Sequence, residues 1–473
     1  MPEPMSILHR IISLAQTAPE QIALVQGKTV LTRRQFLDRI AATAAQLESR
    51  GLGAGDRVMV RAGNSAGFII TYFAVHAAGG ICLPLAPDAP ADFLDHVRKT
   101  TRPVMEIEDP DAWNSDQPAA AELAPPAPDT PADIMFTSGT TGRPKGVVLT
   151  HGQLAAAAEH IIAHTGNTDA DRELLLMPLA HSFGLGRMRS ALYAGTRLVL
   201  GVPLVRLKSL FKTLEAQEIT GLGLVPAAWE YLSRLSGDRL AQFKDQLNYM
   251  EFGSAPLSAE TKSRLCDLFP TTRLVMHYGL TEVSRAVFTR FHDDPLDTAG
   301  SARTGAEIRI LDAQGNVLPP GEEGEIALKA DWMLQGYYKD EDLDGRAMRD
   351  GFLRPGDLGY VREGHLIFKG RRDEMINVAG KKVDPAQVEG AVNQHPAIAE
   401  SACVGYPDPH AGQVVQIFAV AADGNLPSAE ELRHWLGHTL PGHMKPRVVT
   451  PIDQLPKTSA GKLQRLKLAP KEE

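Results

Sequence analysis

Apolar positions alternate between two periods along most of the chain. Phe36, Leu37, Ile40, Ala44 and Leu47 recur at helical spacing and give one apolar face. Residues 1–50 therefore read as helix, short strands, helix. Gly51–Gly55 breaks that helix, and Asp56–Val60 opens a strand. The run Phe68–Cys82 is the most apolar segment but holds His76, Gly79 and Gly80. It is too short to span a bilayer and reads as a core helix leading into the strand Ile81–Leu85. Such alternation predicts a parallel sheet with helices on its faces. Ile134–Phe136 and Val147–Leu149 read as buried strands, and Thr150-x-x-Gln153 as a capping box opening the helix Leu154–His164. Gly223–Pro226 and Glu251–Phe252 read as strand ends, the second closed by a tight turn over Gly253–Leu257. Further on come a helix Pro385–Asn393, strands Ser401–Tyr406 and Val414–Ala421, and a helix opened by Ser428-x-x-Glu431. The expected fold class is α/β: a large N-terminal domain of layered α/β subdomains and a small α+β C-terminal domain. Residues 106–133 turn to Pro, Ala, Asp and Glu, which predicts a solvated surface connector.

Between the two buried strands near residue 140 lies Thr137-Ser138-Gly139-Thr140-Thr141-Gly142-Arg143-Pro144-Lys145-Gly146, a loop of hydroxyls, glycines and two cations. Glycines allow positive φ and close backbone approach, and successive backbone N–H groups form an anion site. A polyphosphate suits this equipment. The order is not that of a Walker loop, because Gly146 follows the lysine where Ser or Thr is needed. The helix after the loop is expected to bring its positive N-terminal end close to the bound anion.

Composition narrows the classes. A chain of 473 residues with 43% hydrophobic residues is globular and long enough for two or three domains. A formal net charge of −8 argues against general nucleic-acid binding. Cys82, Cys266 and Cys403 are widely separated and form no CxxC pair, which fits a reducing compartment. Met1-Pro2-Glu3-Pro4 shows no basic region followed by an apolar run, so no signal peptide is expected and a cytoplasmic location is.

The ordered string FTSGTTGRPKGV at 136–147 resembles the signature loop of the adenylate-forming superfamily, which includes acyl-CoA synthetases, peptide-synthetase adenylation domains and firefly luciferase. Further stretches follow in the family's order. Pro178-Leu179-Ala180-His181-Ser182-Phe183-Gly184 resembles the segment bordering the acyl pocket, in the form found in acyl- and aryl-activating members. The Asp that amino-acid-activating members place nearby is missing between Met177 and Gly186. Gly253-Ser254-Ala255-Pro256 resembles the turn beside the adenine. His277-Tyr278-Gly279-Leu280-Thr281-Glu282 resembles the YGxTE motif. Tyr278 offers a flat face to the base, Thr281 a donor to a phosphate oxygen, and Glu282 a hard oxygen ligand for Mg²⁺. Arg354–Gly359 resembles the segment whose Asp357 accepts from the ribose hydroxyls. Gly370-Arg371-Arg372-Asp373 resembles the end of the large domain, where Arg371 contacts ribose or phosphate and Asp373 is the hinge. Gly380 and Lys381 lie in the loop that faces the site in the thioester step. Pro456-Lys457-Thr458-Ser459-Ala460-Gly461-Lys462 resembles the motif of the adenylation lysine, which is Lys462 here.

The resemblance implies an N-terminal adenylation domain over 1–371, a hinge at 372–373 and a mobile C-terminal domain over 374–473. It implies ATP and Mg²⁺, with Thr137, Ser138, Gly139, Thr140, Thr141, Gly142 and Lys145 at the phosphates. It also implies a carboxylic acid held near His181, Phe183, Ser254, Met276 and Gly279. A fatty or aromatic acid would become an acyl-adenylate with loss of pyrophosphate and then pass to a thiol. CoA is the first expectation for that thiol and a separate carrier protein's phosphopantetheine the second. Another class stays open: Gly63-Asn64-Ser65-Ala66-Gly67 matches G-x-S-x-G, which would make Ser65 the nucleophile of an esterase.

Overall fold

The alternation of strand and helix builds two sheets in the first of two units. The computed structural model describes residues 6–113, 123–138, 144–302, 305–372, 374–422, 424–437, 439–457 and 463–468. One unit comprises Met1–Ile308 with Leu328–Leu353, the other Arg309–Ala327 with Arg354–Glu473. The larger sheet of the first unit has eight strands, in spatial order Val287–Arg290, Arg273–Tyr278, Tyr249–Phe252, Gly221–Leu224, Arg172–Leu174, Arg197–Leu200, Ile22–Gln26 and Thr29–Thr32. All its pairings are parallel except the two at the edges. The six-stranded sheet runs Gly336–Tyr337, Pro144–Thr150, Pro131–Ser138, Ile81–Leu85, Arg57–Arg61 and Met105–Ile107.

The helix Ser182–Ala194 is buried from Phe183 to Tyr193 and carries two arginines inside that stretch. Arg187 and Arg189 are two residues apart, so they point roughly 200° apart around the helix. Arg187 reaches the larger sheet, donating to Glu173 Oε1 and Glu251 Oε2 at 2.8 Å each. Arg189 reaches the other sheet, pairing with Asp133 and donating to Tyr72 Oη at 3.0 Å. Tyr72 in turn donates to Asp133 at 2.9 Å, and His76 Nε2 lies 3.0 Å from its other oxygen. One helix is thereby pinned to both sheets by charge.

Two expectations are corrected here. Asp133 is not part of a solvated connector. It is fully buried in the strand Pro131–Ser138, and a strand at Met105–Ile107 precedes it. The helix after the loop does begin at a Thr150–Gln153 capping box, but its N-terminus is remote from Ser138 and Pro144, the described flanks of the loop. Pro131 pairs with Thr150 at one end of the hairpin and Ser138 with Pro144 at the other. Seven residues of strand put roughly 20 Å between them. The first N–H groups of that helix are also already taken by Thr130 and Pro128 carbonyls.

In the second unit, Gly412–Ala421 is flanked by antiparallel Ile398–Asp408 and parallel Val448–Pro451. A hairpin of Ile376–Val378 and Lys381–Val383 continues the sheet. The helices Pro385–Val392 and Ala429–Trp435 are capped by Asp384 and by a Ser428–Glu431 capping box. Val388, Val392, Ile417, Leu432 and Leu436 share one apolar core. Among the described residues, no helix is long and apolar enough to cross a membrane.

His151 and His160 lie buried on the helix His151–Thr165, and burial pushes both down from 6.5 to about 3. Neighbouring His76 and His164 add to the respective shifts. The unfolded chain thus takes up these protons first, and stability falls as pH drops from 6.5 toward 3. At pH 5 each histidine is expected to cost about 1–2 kcal/mol. His160 stacks on Trp332 at 3.9 Å, and its Nε2 has no hydrogen-bond partner among the described residues. His160→Phe should therefore keep the stack and shrink the loss of urea midpoint between pH 7.5 and pH 5. An undiminished loss in the variant would assign the acid sensitivity elsewhere.

Candidate active site

Arg172–Leu174, Gly221–Leu224, Tyr249–Phe252 and Arg273–Tyr278 are consecutive parallel neighbours, so their carboxyl ends share one edge of the sheet. Beyond those ends the chain runs into Met177–Phe183, Val225-Pro226, Gly253–Pro256 and Gly279–Glu282. In open α/β sheets the crevice outside the carboxyl ends is where ligands bind. Sequence-distant segments singled out by their chemistry thus meet at one edge. Ser254 takes φ +73°, a left-handed conformation that is strained for a residue with a side chain. A Cβ at Gly253 would sit 2.0 Å from His277 Cε1, and one at Gly279 would sit 1.9 Å from the Ser284 carbonyl oxygen. Only glycine fits at these two turns.

The hydroxyl-rich loop closes the hairpin of Pro131–Ser138 and Pro144–Thr150, with Thr137 opposite Lys145. Gly139–Gly142 and Arg143 lie outside the described residues, as do Asp373 and Lys462, and nothing is described of the Ser138 side chain. Lys145 Nζ lies 3.0 Å from Glu282 Oε1 and donates to Tyr337 Oη at 3.2 Å. It also sits 4.6 Å from the Tyr337 ring centroid. Tyr337 donates to the same Glu282 oxygen at 2.9 Å, and burial together with Glu282 pushes its phenol well up. The backbone completes the junction: Leu334 N–H donates to the Glu282 carbonyl at 2.6 Å and Tyr338 N–H to that of Gly146 at 2.8 Å. The root of the loop and the Thr281–Glu282 turn are therefore one joined structure. The Thr137 hydroxyl beside it is buried without a hydrogen-bond partner among the described residues. Such a group is costly unless a ligand answers it, so it suits a phosphate oxygen. Glu282, nearly buried, provides a single hard oxygen donor, which suits Mg²⁺ arriving with phosphates.

His181 stands at the N-terminus of the helix Ser182–Ala194, and burial lowers its pKa, partly offset by Asp88. Phe183 is buried edge-on against His277 at 4.9 Å. Met276 belongs to the apolar cluster that includes Leu224 and Phe252. In the second unit, Arg371 Nη1 lies 3.3 Å from Asp357 Oδ1, and Nη2 donates to the Pro355 carbonyl at 3.2 Å. Ala379 and Gly380 form the two-residue turn before Lys381, with φ of +49° and +81°. That pair of angles belongs to a hairpin turn in which Ala379 is strained.

Sequence reasoning passed over Glu173, Arg187, Glu251 and Arg285, all fully buried beneath this edge. The one trace they leave is charge placed inside otherwise apolar runs, as at Glu251 between Met250 and Phe252.

A family model described as AMP-binding enzyme matches residues 13–122 and 101–338, and its C-terminal domain model matches 387–462. The chain belongs to the AMP-binding enzyme family. A feruloyl-CoA synthase from Amycolatopsis sp is 29% identical, covering 95% of each chain. A sulfoacetate–CoA ligase from Cupriavidus necator is 34% identical over 74% of this chain and 69% of its own. The crystal structure of ATP-bound MatB from Rhodopseudomonas palustris superposes with TM-score 0.88 at 25% identity, covering 98% of both chains. That of o-succinylbenzoate coenzyme A synthetase from Bacillus subtilis, with ATP and magnesium ion, has TM-score 0.87 at 26% identity and covers 97% of this chain and 98% of its own. This member is an AMP-forming acid–CoA ligase.

The esterase alternative does not survive in this AMP-binding enzyme. Ser65 has an ordinary extended φ of −131°, not the strained angle of a nucleophile elbow, and its hydroxyl accepts from Phe68 N–H as the cap of the helix Ala66–Ala77. Ser65→Ala should cost about 1 kcal/mol of stability, read as a lower urea midpoint, and leave ligase turnover unchanged. Labelling of Ser65 by a fluorophosphonate would restore the nucleophile.

Proposed function

We propose that this AMP-forming ligase activates an aromatic carboxylic acid, and that the carboxyl-end edge of the larger sheet is where it does so. The observation that supports the reading is the junction of Lys145, Tyr337 and Glu282, which joins the hydroxyl loop to the Tyr278–Glu282 segment. The choice of an aromatic acid rests on the feruloyl-CoA synthase and on a 2-succinylbenzoate–CoA ligase from Bacillus velezensis, 29% identical over 97% of this chain.

The acid's carboxylate attacks the α-phosphorus of ATP and pyrophosphate leaves. Both reactants are anions, so the protein's part is positioning and charge stabilisation. Thr137, the loop hydroxyls and Lys145 would hold the phosphates, Thr281 would donate to a phosphate oxygen, and Tyr278 with Gly253–Pro256 would flank the adenine. Mg²⁺ held at Glu282 would offset phosphate charge. Lys145 already contacts that carboxylate, so it would have to pass to a phosphate oxygen as the ion takes its place. Asp357 and Arg371 would hold the ribose. Lys462 would bridge the carboxylate and the α-phosphate. Rotation at 372–373 would then exchange Lys462 for the Gly380–Lys381 turn, and the CoA thiol would attack the acyl carbon and release AMP. Loading of a separate carrier protein is the second reading of the acceptor. The three free cysteines fit a cytoplasmic setting.

Acid-dependent ATP–pyrophosphate exchange, run over a panel of acids, tests this directly. Cinnamate- and benzoate-type acids should support exchange at least about tenfold better in kcat/KM than straight-chain acids, a difference of about 1.4 kcal/mol. Preference for alkanoic acids would overturn the substrate class. Lys462→Ala should lower acyl-adenylate formation about 100-fold or more and largely spare thioester formation from supplied acyl-adenylate. Equal loss of both half-reactions would remove Lys462 from its assigned step.

A further inference from the structure

Beneath the proposed acid-binding edge lies a charge network whose hub is Glu251. Its carboxylate is fully buried between three cationic or ionisable partners on different elements. Arg187 Nη1 donates to Oε2 at 2.8 Å, Arg285 Nε donates to Oε1 at 3.0 Å, and His277 Nδ1 lies 2.6 Å from the same Oε1. Burial alone would raise the Glu251 pKa, yet Arg285, His277 and Arg187 outweigh it and hold it well below the usual carboxylate range.

Arg285 carries the connection onward. Its Nη1 donates to the Ser182 carbonyl and its Nη2 to the Phe183 carbonyl, both at 3.2 Å. Its guanidinium also lies 5.2 Å from the Phe183 ring centroid. The packing leaves no slack, since a Cβ at Gly186 would sit 1.9 Å from Arg285 Nη1. Each of these segments leads into the proposed site: the start of the helix after His181, the strand leading to Gly253, and the strand leading to Tyr278.

We propose that Glu251 is a positioning residue for the acid substrate, acting through Arg285 to set the backbone of Ser182 and Phe183 against the Gly253 turn and the Tyr278–Glu282 segment. The inference rests on the acid site proposed above. A one-ångström error in such a segment is enough to cost about 100-fold in rate. The Gly253 turn and the Tyr278–Glu282 segment also border the nucleotide, but they are tied as well by Lys145, Tyr337 and the Leu334 N–H, whereas the Ser182 and Phe183 carbonyls are held by Arg285, so the acid should respond more strongly than ATP.

The experiment compares Glu251→Gln with the double variant Glu251→Gln/Arg285→Met in ATP–pyrophosphate exchange over the same acids, alongside melting temperatures. Glu251→Gln leaves two buried guanidiniums with one remaining carboxylate, Glu173 on Arg187, and the double variant returns this set to charge balance. The double variant should recover most of the wild-type melting temperature. It should still show a KM for the acid raised about tenfold or more, a clearly smaller rise in the KM for ATP, and an altered order of preferred acids. A double variant with restored melting temperature, wild-type acid KM and unchanged acid order would reduce Glu251 to a charge-balancing role and overturn the proposal. So would equal increases in both KM values. Wild-type enzyme run in parallel separates the two levels of failure. Wild type that exchanges with no acid sinks the site reading and this inference together, while an active wild type with unaffected variants sinks only this inference.

Discussion

A charge removed from water has to be answered by another charge in fixed geometry, and the first unit is organised by that requirement. Taking a carboxylate or guanidinium out of water costs several kcal/mol, which is recovered only where pairing and hydrogen bonding are nearly complete. The helix Ser182–Ala194 offers two guanidiniums on opposite sides, and each finds its carboxylate in a different sheet. Apolar contact alone would tolerate a slide or rotation of such a helix. Two oppositely directed ion pairs tolerate neither, because a shift that keeps one breaks the other. The helix start, which carries His181 and Phe183, inherits that fixed position.

The same logic separates two kinds of polar residue near the sheet edge. Arg187, Arg285 and Glu251 are satisfied inside the protein and have no exposed surface to offer a ligand. Thr137 has a hydroxyl without a partner among the described residues, and Lys145 and Glu282 meet where the loop hairpin joins the strand end. Groups of the first kind hold geometry, and groups of the second kind have capacity left for a substrate. The strained Ser254 and Ala379 fall in turns that the family resemblance had already marked. Strain of this sort persists where surrounding structure over-determines the backbone.

Much of this was legible in the sequence because it is local. Period-two and period-3.6 patterns, capping boxes and glycine turns depend on neighbours a few residues away, and strands such as Arg57–Arg61 and helices such as Pro385–Val392 appear where the pattern put them. The family's motifs were recognisable for a different reason, since their order matched a known family. Hidden from view were relations between distant residues. Asp133 sits in a stretch whose composition reads as surface, and only the approach of Arg189, Tyr72 and His76 makes it a core residue. The capping box at Thr150 was read correctly, but its distance from the loop depends on the hairpin register, which pairs Pro131 with Thr150.

Lys462 raises the question of how a residue assigned to one half-reaction is kept in register with a hinge. The residues on either side of its segment are tied down within the second unit. Lys457 and Leu463 form an antiparallel bridge, and Lys457 pairs with Glu400 on the strand Ile398–Asp408. Arg465 binds Glu389 on the helix Pro385–Val392 through two bonds, at 3.0 and 2.6 Å, and reaches Glu374 at 2.7 Å. Glu374 is the neighbour of Asp373, the proposed hinge. One arginine thus links the flank of the lysine segment, the first helix of the small α+β domain and the residue beside the pivot.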